Sequence, residues 1–248
     1  MRQEGYVEGR NPVIEAIKGD REIDKILIAK GSEQGSIQKI IGMAKEKKIV
    51  LQYVEKAKLD GMSETKAHQG VIALVTPYSY KTVEDIMKTA EDKSEDPFII
   101  ILDEIEDPHN LGAIIRTAEC AGAHGVIIPK RRAVGLTPVA IKASSGAVEH
   151  INVAKVPNIA STIDDLKKSG IWIYGADMGG EQSYFQRDLT GPIAIVVGSE
   201  GKGIGRLIKE KCDFLVKIPM LGKISSLNAS AAASVIMYEV LRQRSLKE

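Results

Sequence analysis

The feature that most constrains the fold is the alternation, from residue 97 onwards, of short apolar runs with helical patterns. The run Phe98–Leu102 reads FIIIL, a continuous apolar segment typical of a strand that is buried on both faces of a parallel sheet. Repeated βα units of this length predict an α/β domain with a doubly wound parallel sheet. We predict strands at 98–102, 126–128, 171–174, 192–197 and 214–218, and helices at about 111–121, 159–168 and 228–244.

The first 78 residues form a smaller region with its own alternation. Asn11 and Pro12 are typical of a helix start, because proline suits the first helical position. A second helix is predicted at 36–44, and strands at 26–29, 49–54 and 71–75, which indicates a small α/β or α+β domain. The polar segment 79–96 is predicted to be a linker with one or two helical turns around 83–87. The predicted domains are therefore 1–78 and 97–248.

Composition narrows the class of protein. The chain has 248 residues, 44% of them hydrophobic, so it can form a core, and its net charge of +1 gives no bulk signal for nucleic-acid binding. A local basic stripe would still suffice for phosphate contacts. The two cysteines, Cys120 and Cys212, form neither a disulfide framework nor a metal-ligand spacing, and Cys120 is predicted to be a small core residue.

Membrane and metal partners are not expected. No apolar stretch approaches the roughly 20 residues that span a bilayer, and the N-terminus lacks the apolar core of a signal peptide. The four histidines do not pair at metal-ligand spacing, and no nucleophile elbow is present. We therefore expect a soluble cytoplasmic protein without a bound metal.

Three short polar segments stand out in the C-terminal half. They are 107–116 (DPHNLGAIIR), 198–203 (GSEGKG) and 225–230 (SSLNAS). Two of the three follow an apolar, β-branched run, and all three lead into a helical pattern. Open α/β sheets bind ligands at the carboxyl ends of their strands. We interpret the three segments as one composite site.

The first segment contributes Asn110 and Arg116. If a helix begins at Asn110, the two residues lie nearly two turns apart and share roughly one side of it, although Asn110 could equally be the helix cap. Arg116 interrupts a run of apolar and small residues, which predicts a position close to the buried face. A desolvated, unpaired guanidinium is costly, so Arg116 there must be paired or functional, and its planar fork suits a phosphate.

The other two segments add Glu200, Ser226 and Asn228. Glycines around Glu200 let the backbone approach a ligand closely, but their spacing fits neither a Walker phosphate loop nor a Rossmann fingerprint. Glu200 is either a functional acid or an exposed turn residue. Ser226 and Asn228 stand at the N-terminal end of a helix rich in small residues, and capping would explain only one of them.

Together the three segments resemble the motifs of the SpoU class of the SPOUT superfamily, the RNA ribose 2′-O-methyltransferases. The resemblance covers about residues 97–244, and the motifs carry Asn110 and Arg116, then Glu200, then Ser226 and Asn228, in that order. The N-terminal region is similar to the small RNA-binding domain, related to ribosomal protein L30e, that precedes many SpoU enzymes. The run 67–73 (AHQGVIA) is similar to a signature of that subgroup.

The resemblance implies more than the residues alone predict. It implies a deep trefoil knot near the C-terminal end of the sheet, an exception to the rule that chains are unknotted. It also implies S-adenosylmethionine as the cofactor and a homodimer with its site near the interface. By position, the cofactor would be held by main-chain groups of Gly198, Ile218 and Leu227, with Gly201 and Met220 adjacent.

These expectations lead to a hypothesis for function. The protein is expected to methylate a ribose 2′-hydroxyl in RNA, most simply a guanosine of 23S rRNA. The alternatives are a tRNA ribose methyltransferase and a non-catalytic RNA-binding or ribosome-assembly protein on the same scaffold. Lys130, Arg131 and Arg132 are candidate phosphate contacts, with a solvated loop as the competing interpretation. The resemblance places Arg116 at the centre of the reaction, either as an unusual base or through the neighbouring phosphate. We favour the phosphate role, because free arginine has a pKa above about 12.

Overall fold

The computed structural model describes residues 5–18, 23–63, 67–75 and 78–246. The chain divides into two compact units, Met1–Ser79 with Leu136–Pro138, and Tyr80–Gly135 with Val139–Glu248. Each unit is described by itself.

The first unit is a four-stranded sheet within the described residues, in the order β1-β4-β2-β3. The strands β2 and β3 are parallel, and β4 is antiparallel to both of its neighbours. Alternate residues of β2 are buried in two different clusters, Ile26 and Ile28 in one and Leu27 and Ala29 in the other, so both faces of the sheet are covered. The elements are β1 (Tyr6–Glu8), α1 (Arg10–Lys18), β2 (Ile23–Ala29), α2 (Ser36–Glu46), β3 (Val50–Val54), α3 (Lys56–Met62) and β4 (Val71–Val75).

The second unit contains a sheet of seven parallel strands in its described part, which confirms the predicted α/β class. The strand order is β7-β6-β5-β10-β8-β11-β9. The elements after residue 80 are α4 (Val83–Lys93), β5 (Phe98–Asp103), α5 (Pro108–Cys120), β6 (Gly125–Pro129), α6 (Pro138–Ala143), β7 (Asn152–Val156), α7 (Ile159–Lys168), β8 (Trp172–Ala176), β9 (Gln182–Ser183), β10 (Ile193–Gly198), α8 (Arg206–Lys211), β11 (Phe214–Lys217) and α9 (Ala229–Ser245), with 3₁₀ turns at Ala147–Glu149 and Tyr184–Gln186.

The strand order places the carboxyl ends of β5, β8, β10 and β11 at one edge of the sheet. From β5 the chain moves outward to β6 and β7, and then returns to build β8, β10 and β11 on the other side. The side of the sheet to which the chain adds new strands therefore changes between β5 and β10. The last residues of these two parallel strands, Asp103 and Gly198, are register partners. A crevice at such a reversal is the usual ligand site of a parallel α/β sheet.

Two local predictions were wrong. Residues 83–93, expected within a linker of one or two helical turns, form the 11-residue helix α4, whose start is a capping box between Thr82 and Asp85. Its apolar face is buried, with Ile86 and Ala90 fully covered. Cys120, expected in the core, is exposed. Helical phase explains this, since Cys120 lies about 180° around α5 from the buried Leu111.

No helix among the described residues is both long and apolar enough to cross a membrane.

Candidate active site

A cavity of about 440 Å³ opens at the carboxyl edge of the second unit's sheet. Its walls come from the ends of β8, β10 and β11, from the loops that follow them, and from the first turn of α9. All five predicted cofactor residues line it. They are Gly198, Gly201, Ile218, Met220 and Leu227. Their role in binding stays a prediction, but they share one cavity although Gly198 and Leu227 are far apart in sequence.

One wall of the cavity is a tight turn at 199–203. Ser199 and Gly203 exchange two backbone hydrogen bonds, with N···O distances of 3.1 and 2.8 Å. Gly201 and Gly203 have φ of 85° and 65°, a region that glycine adopts without strain. Gly198 lies so close to this turn that a Cβ atom would be 2.1 Å from the carbonyl carbon of Gly203. The turn therefore presents bare backbone to the cavity, which suits a site that binds through main-chain groups.

A buried carboxylate, which sequence reasoning missed, holds the far side of this turn. The Asp103 side chain lies at the end of β5, and its Oδ2 accepts a hydrogen bond from the Gly205 amide at 2.8 Å. Burial raises the pKa of Asp103 above its ordinary value, while the bond from Gly205 opposes the shift. The available signal was an acid at the end of an apolar strand, the position where ligand sites form.

An ion pair on another wall was also missed. Lys209 Nζ lies 2.5 Å from Asp177 Oδ2, and both residues line the cavity. The Asp177 side chain is 14% exposed and that of Lys209 is 33% exposed, so the pair is partly shielded from water. Asp177 directly follows β8, and this position after a strand was the signal that could have identified it.

The three polar segments meet at Asn228. Its Nδ2 donates to Asn110 Oδ1 at 2.9 Å and to Glu200 Oε2 at 3.3 Å. Its Oδ1 caps α9 by accepting from the Ser230 amide at 2.9 Å. Asn228 thus uses both ends of its amide, one for the helix and one for the site. This junction adjoins the cavity, since Glu200 also lines it.

Asn110 does not cap its helix. Asp107 is the cap of α5 and accepts from the His109 amide at 3.0 Å, so the helix begins at Pro108. Asn110 is instead 8% exposed within the first turn, with its side chain turned to Asn228. The capping interpretation is therefore wrong, and the role of Asn110 in the site stays a prediction.

The predicted burial of Arg116 was wrong. Arg116 is exposed, and Nη1 donates to Ser145 Oγ at 3.3 Å. Six residues advance a helix by about 600°, which leaves Arg116 about 240° around α5 from Asn110 rather than on the same side. Arg116 is not among the residues that line the cavity. The structure therefore joins Asn110, Glu200 and Asn228 in one network and leaves Arg116 outside it.

Ser226 completes the predicted catalytic set. It is exposed and lines the cavity, within the segment 221–228, which is exposed throughout. No hydrogen bond joins its hydroxyl to the other described residues, so the hydroxyl is open to a ligand.

The basic triplet lies in the loop after β6. Lys130 is half-buried, and Arg131 and Arg132 are exposed. Arg132 Nη1 lies 3.4 Å from Glu104 Oε1, an exposed pair of the kind that contributes little to stability. Because β6 is parallel to β5, the loop follows the same edge of the sheet as the cavity. Its role toward phosphate stays a prediction.

Each of the two parts of the chain matches the model of a known protein family. Residues 97–238 match the model described as SpoU rRNA Methylase family. Residues 6–81 match the model described as RNA 2'-O ribose methyltransferase substrate binding.

Individual relatives agree with these matches. The chain is 54% identical over 243 residues to a Bacillus subtilis protein that carries the name TrmH family tRNA/rRNA methyltransferase YacO, covering 98% of this chain and 97% of that one. A Staphylococcus aureus protein with the same family name is 47% identical, with 98% and 97% covered. Among solved structures, the SpoU methyltransferase AviRb from Streptomyces viridochromogenes, crystallised with the cofactor AdoMet, has a TM-score of 0.63 at 26% identity, with 97% and 90% covered. The chain therefore belongs to the SpoU rRNA methylase family of RNA methyltransferases.

Proposed function

We propose that the protein transfers a methyl group from S-adenosylmethionine to a ribose 2′-hydroxyl of structured RNA, with a guanosine of 23S rRNA as the first candidate. The observation that carries the proposal is the junction at Asn228. A single amide there joins Asn110 and Glu200 beside a small-molecule cavity. A protein that only bound RNA would not need a cavity of this size next to the junction.

The cavity suits the proposed cofactor in size and chemistry. Small-molecule sites commonly measure about 300–1,000 Å³, and this cavity has about 440 Å³. The absence of a Cβ at Gly198 lets the turn at 199–203 pack directly on the end of β10, and both line the cavity. We propose that main-chain groups of Gly198, Ile218 and Leu227 hold the cofactor, with Gly201 and Met220 beside it. When bound, S-adenosylmethionine supplies a sulfonium methyl group that a nucleophile can attack.

The chain's own residues then have to prepare a poor nucleophile. A ribose hydroxyl must be oriented in line with the methyl group and must lose its proton. We propose that Asn110, Glu200 and Asn228 orient the ribose, and that Ser226 shapes the pocket around ribose and cofactor. We assign to Arg116 the binding of the neighbouring phosphate, because a free arginine has a pKa above 12 and is a poor base near neutral pH.

Arg116 provides the test of this assignment. Arg116→Ala should abolish methyl transfer and leave S-adenosylmethionine affinity nearly unchanged, because we assign the residue to the RNA phosphate and not to the cofactor. One assay measures the transfer of a labelled methyl group to RNA. Calorimetry measures the affinity for S-adenosylmethionine. Normal turnover by this variant would contradict the phosphate role.

We also propose that the protein is a homodimer in which Arg116 of one copy serves the cavity of the other. The exposed position of Arg116, away from its own cavity, supports this arrangement. Mixing two inactive variants, Arg116→Ala and Gly198→Val, should restore activity if subunits exchange. Half of the dimers would then contain one copy of each variant. Each mixed dimer would carry one intact site, with the cavity from the Arg116→Ala copy and Arg116 from the Gly198→Val copy. About a quarter of the wild-type activity is expected. A mixture that stays inactive, although mixed dimers form, would contradict a shared site.

The trefoil knot belongs to this proposal as well. The loops after β10 and β11 both line the cavity, and they are the segments that the family knot would contain. The cytoplasmic location remains a prediction of the sequence.

The RNA target is the least constrained part of the proposal. The first unit matches a substrate-binding model, which supports a docking role for it. The names of the relatives include both tRNA and rRNA, so a tRNA ribose remains the alternative. Incubation with labelled S-adenosylmethionine and total RNA, followed by mapping of the methylated nucleotide, separates these targets. Absence of any RNA labelling would instead favour the non-catalytic alternative.

A further inference from the structure

The turn that follows α6 is built around a serine in an unfavourable backbone conformation. Ser145 has φ of 52°, in the left-handed region that non-glycine residues seldom adopt, and Gly146 follows with φ of 91°. Left-handed geometry strains an L-residue, and glycine alone adopts it freely. Glycine at position 145 would avoid that strain, so the turn alone does not call for a serine.

The hydroxyl of Ser145 has one partner among the described residues, and that partner is Arg116. Nη1 of Arg116 donates to Ser145 Oγ at 3.3 Å, across 29 positions of sequence. It is also the one hydrogen bond that the described residues supply to the Arg116 guanidinium. Both side chains are exposed, so water could replace this hydrogen bond and the bond adds little to stability. Its effect is to fix the orientation of the guanidinium.

The turn is held firmly against α5. Gly112, one helical turn before Arg116, packs so closely on the end of α6 that a Cβ atom there would lie 2.5 Å from the Ala140 oxygen. Ser144 is fully buried, and its hydroxyl donates to the Ile141 oxygen at 2.7 Å. The backbone of Ser145 is therefore fixed with respect to α5, the helix that carries Arg116.

From these contacts we infer that Ser145 is a positioning residue, whose hydroxyl orients the Arg116 guanidinium for the substrate phosphate. The inference rests on the proposed function of Arg116 and adds a second residue to it. Orienting a flexible arginine before the substrate binds lowers the entropy lost on reaching the transition state. The effect should therefore appear in kcat with RNA and not in the binding of S-adenosylmethionine.

The experiment compares Ser145→Gly with Ser145→Asn in the full-length protein. Ser145→Gly removes the hydroxyl and relieves the left-handed strain, so the variant should fold at least as stably. Its kcat should fall about tenfold, because the guanidinium is no longer held in one orientation. Asparagine tolerates left-handed geometry and supplies an acceptor oxygen, so Ser145→Asn should recover most of kcat. The measurements are the melting temperature, kcat, and KM for RNA and for the cofactor.

Ser94 supplies the matched control, because it is also left-handed, with φ of 56°, and ends α4 without a side-chain contact to Arg116. Ser94→Gly should leave kcat unchanged. If Ser145→Gly keeps wild-type kcat while Arg116→Ala is inactive, the positioning role is refuted and the proposed function survives. If Arg116→Ala itself retains full turnover, the proposed role of Arg116 fails and Ser145 has nothing to position.

Discussion

Substitution of Gly198 by alanine probes the backbone cradle of the cavity. The added Cβ would lie 2.1 Å from the carbonyl carbon of Gly203 and 2.2 Å from both the Gly203 oxygen and the Ile204 nitrogen. Carbon atoms normally pack at about 3.5–4.0 Å, so these groups would have to move by more than about 1.3 Å. All three are backbone atoms, and no side-chain rotation relieves the contact. The turn at 199–203 must shift as a whole.

The loss of stability in Gly198→Ala can be estimated. Overpacking typically destabilises a protein by about 1–3 kcal/mol, and rigid backbone partners favour the upper end. At about 3 kcal/mol the melting temperature should fall by roughly 6–12 °C for a domain of this size. Displacement of the turn should also weaken S-adenosylmethionine binding about a hundredfold, which corresponds to about 2.7 kcal/mol.

Gly191→Ala is the control, because a Cβ there meets nothing within 4 Å and its φ is not positive. We expect it to keep wild-type stability and cofactor affinity, as measured by thermal unfolding and calorimetry. A Gly198→Ala protein that binds the cofactor with wild-type Kd would refute the view that the turn cradles it. If that variant is too unstable to purify, Gly198→Ser in a stabilised background should show the same loss of affinity, since its Cβ meets the same atoms.

Three further predictions address the junction, a buried histidine and the basic loop. Asn228→Ala should lower the free energy of unfolding by about 1 kcal/mol, because α9 loses its cap, and urea unfolding measures this loss. The same variant should lose far more kcat than that change in stability explains. Wild-type stability or wild-type kcat would contradict the double role of Asn228. His124 is buried, its Nδ1 accepts from the Phe98 amide, and desolvation lowers its pKa. Stability should therefore be complete above about pH 6.5, the unfolded pKa, and fall as pH drops below it, and this acid-side loss should shrink in His124→Gln under the same urea titrations. Arg131→Ala should weaken binding to all RNAs and flatten the salt dependence of that binding, without change in cofactor affinity; an unaltered salt slope would remove Arg131 from the interface.

Much of the fold was predictable because the signals are local. The apolar run 98–102 and the helical period of 159–168 depend on neighbouring residues alone, and both elements form as predicted. The helix α4 was missed because its apolar face is narrow and most of its other residues are charged or polar. Whether that face is buried depends on what packs against it, which composition does not show. The short strand β9 has only two residues and exists through its pairing with β11.

The candidate site was predictable to the extent that it follows strand ends. The three polar segments could be identified because ligands gather at the carboxyl ends of parallel strands. The contacts among them were not predictable, because they depend on the order β5-β10-β8-β11, which long-range pairing decides. Asp103 was missed for this reason: its partner, Gly205, is 102 positions away.

The sequence by itself determined the α/β class, the three polar segments and the residues that could act in them. The tertiary structure alone decided which of these residues meet. It brought Asn110 and Glu200 to a single amide of Asn228, and it placed Arg116 on another side of α5, against Ser145. The physical reason is that secondary structure follows from periods of two and 3.6 residues within one segment, whereas a site follows from strand order and helical phase, which are settled only when distant segments pack.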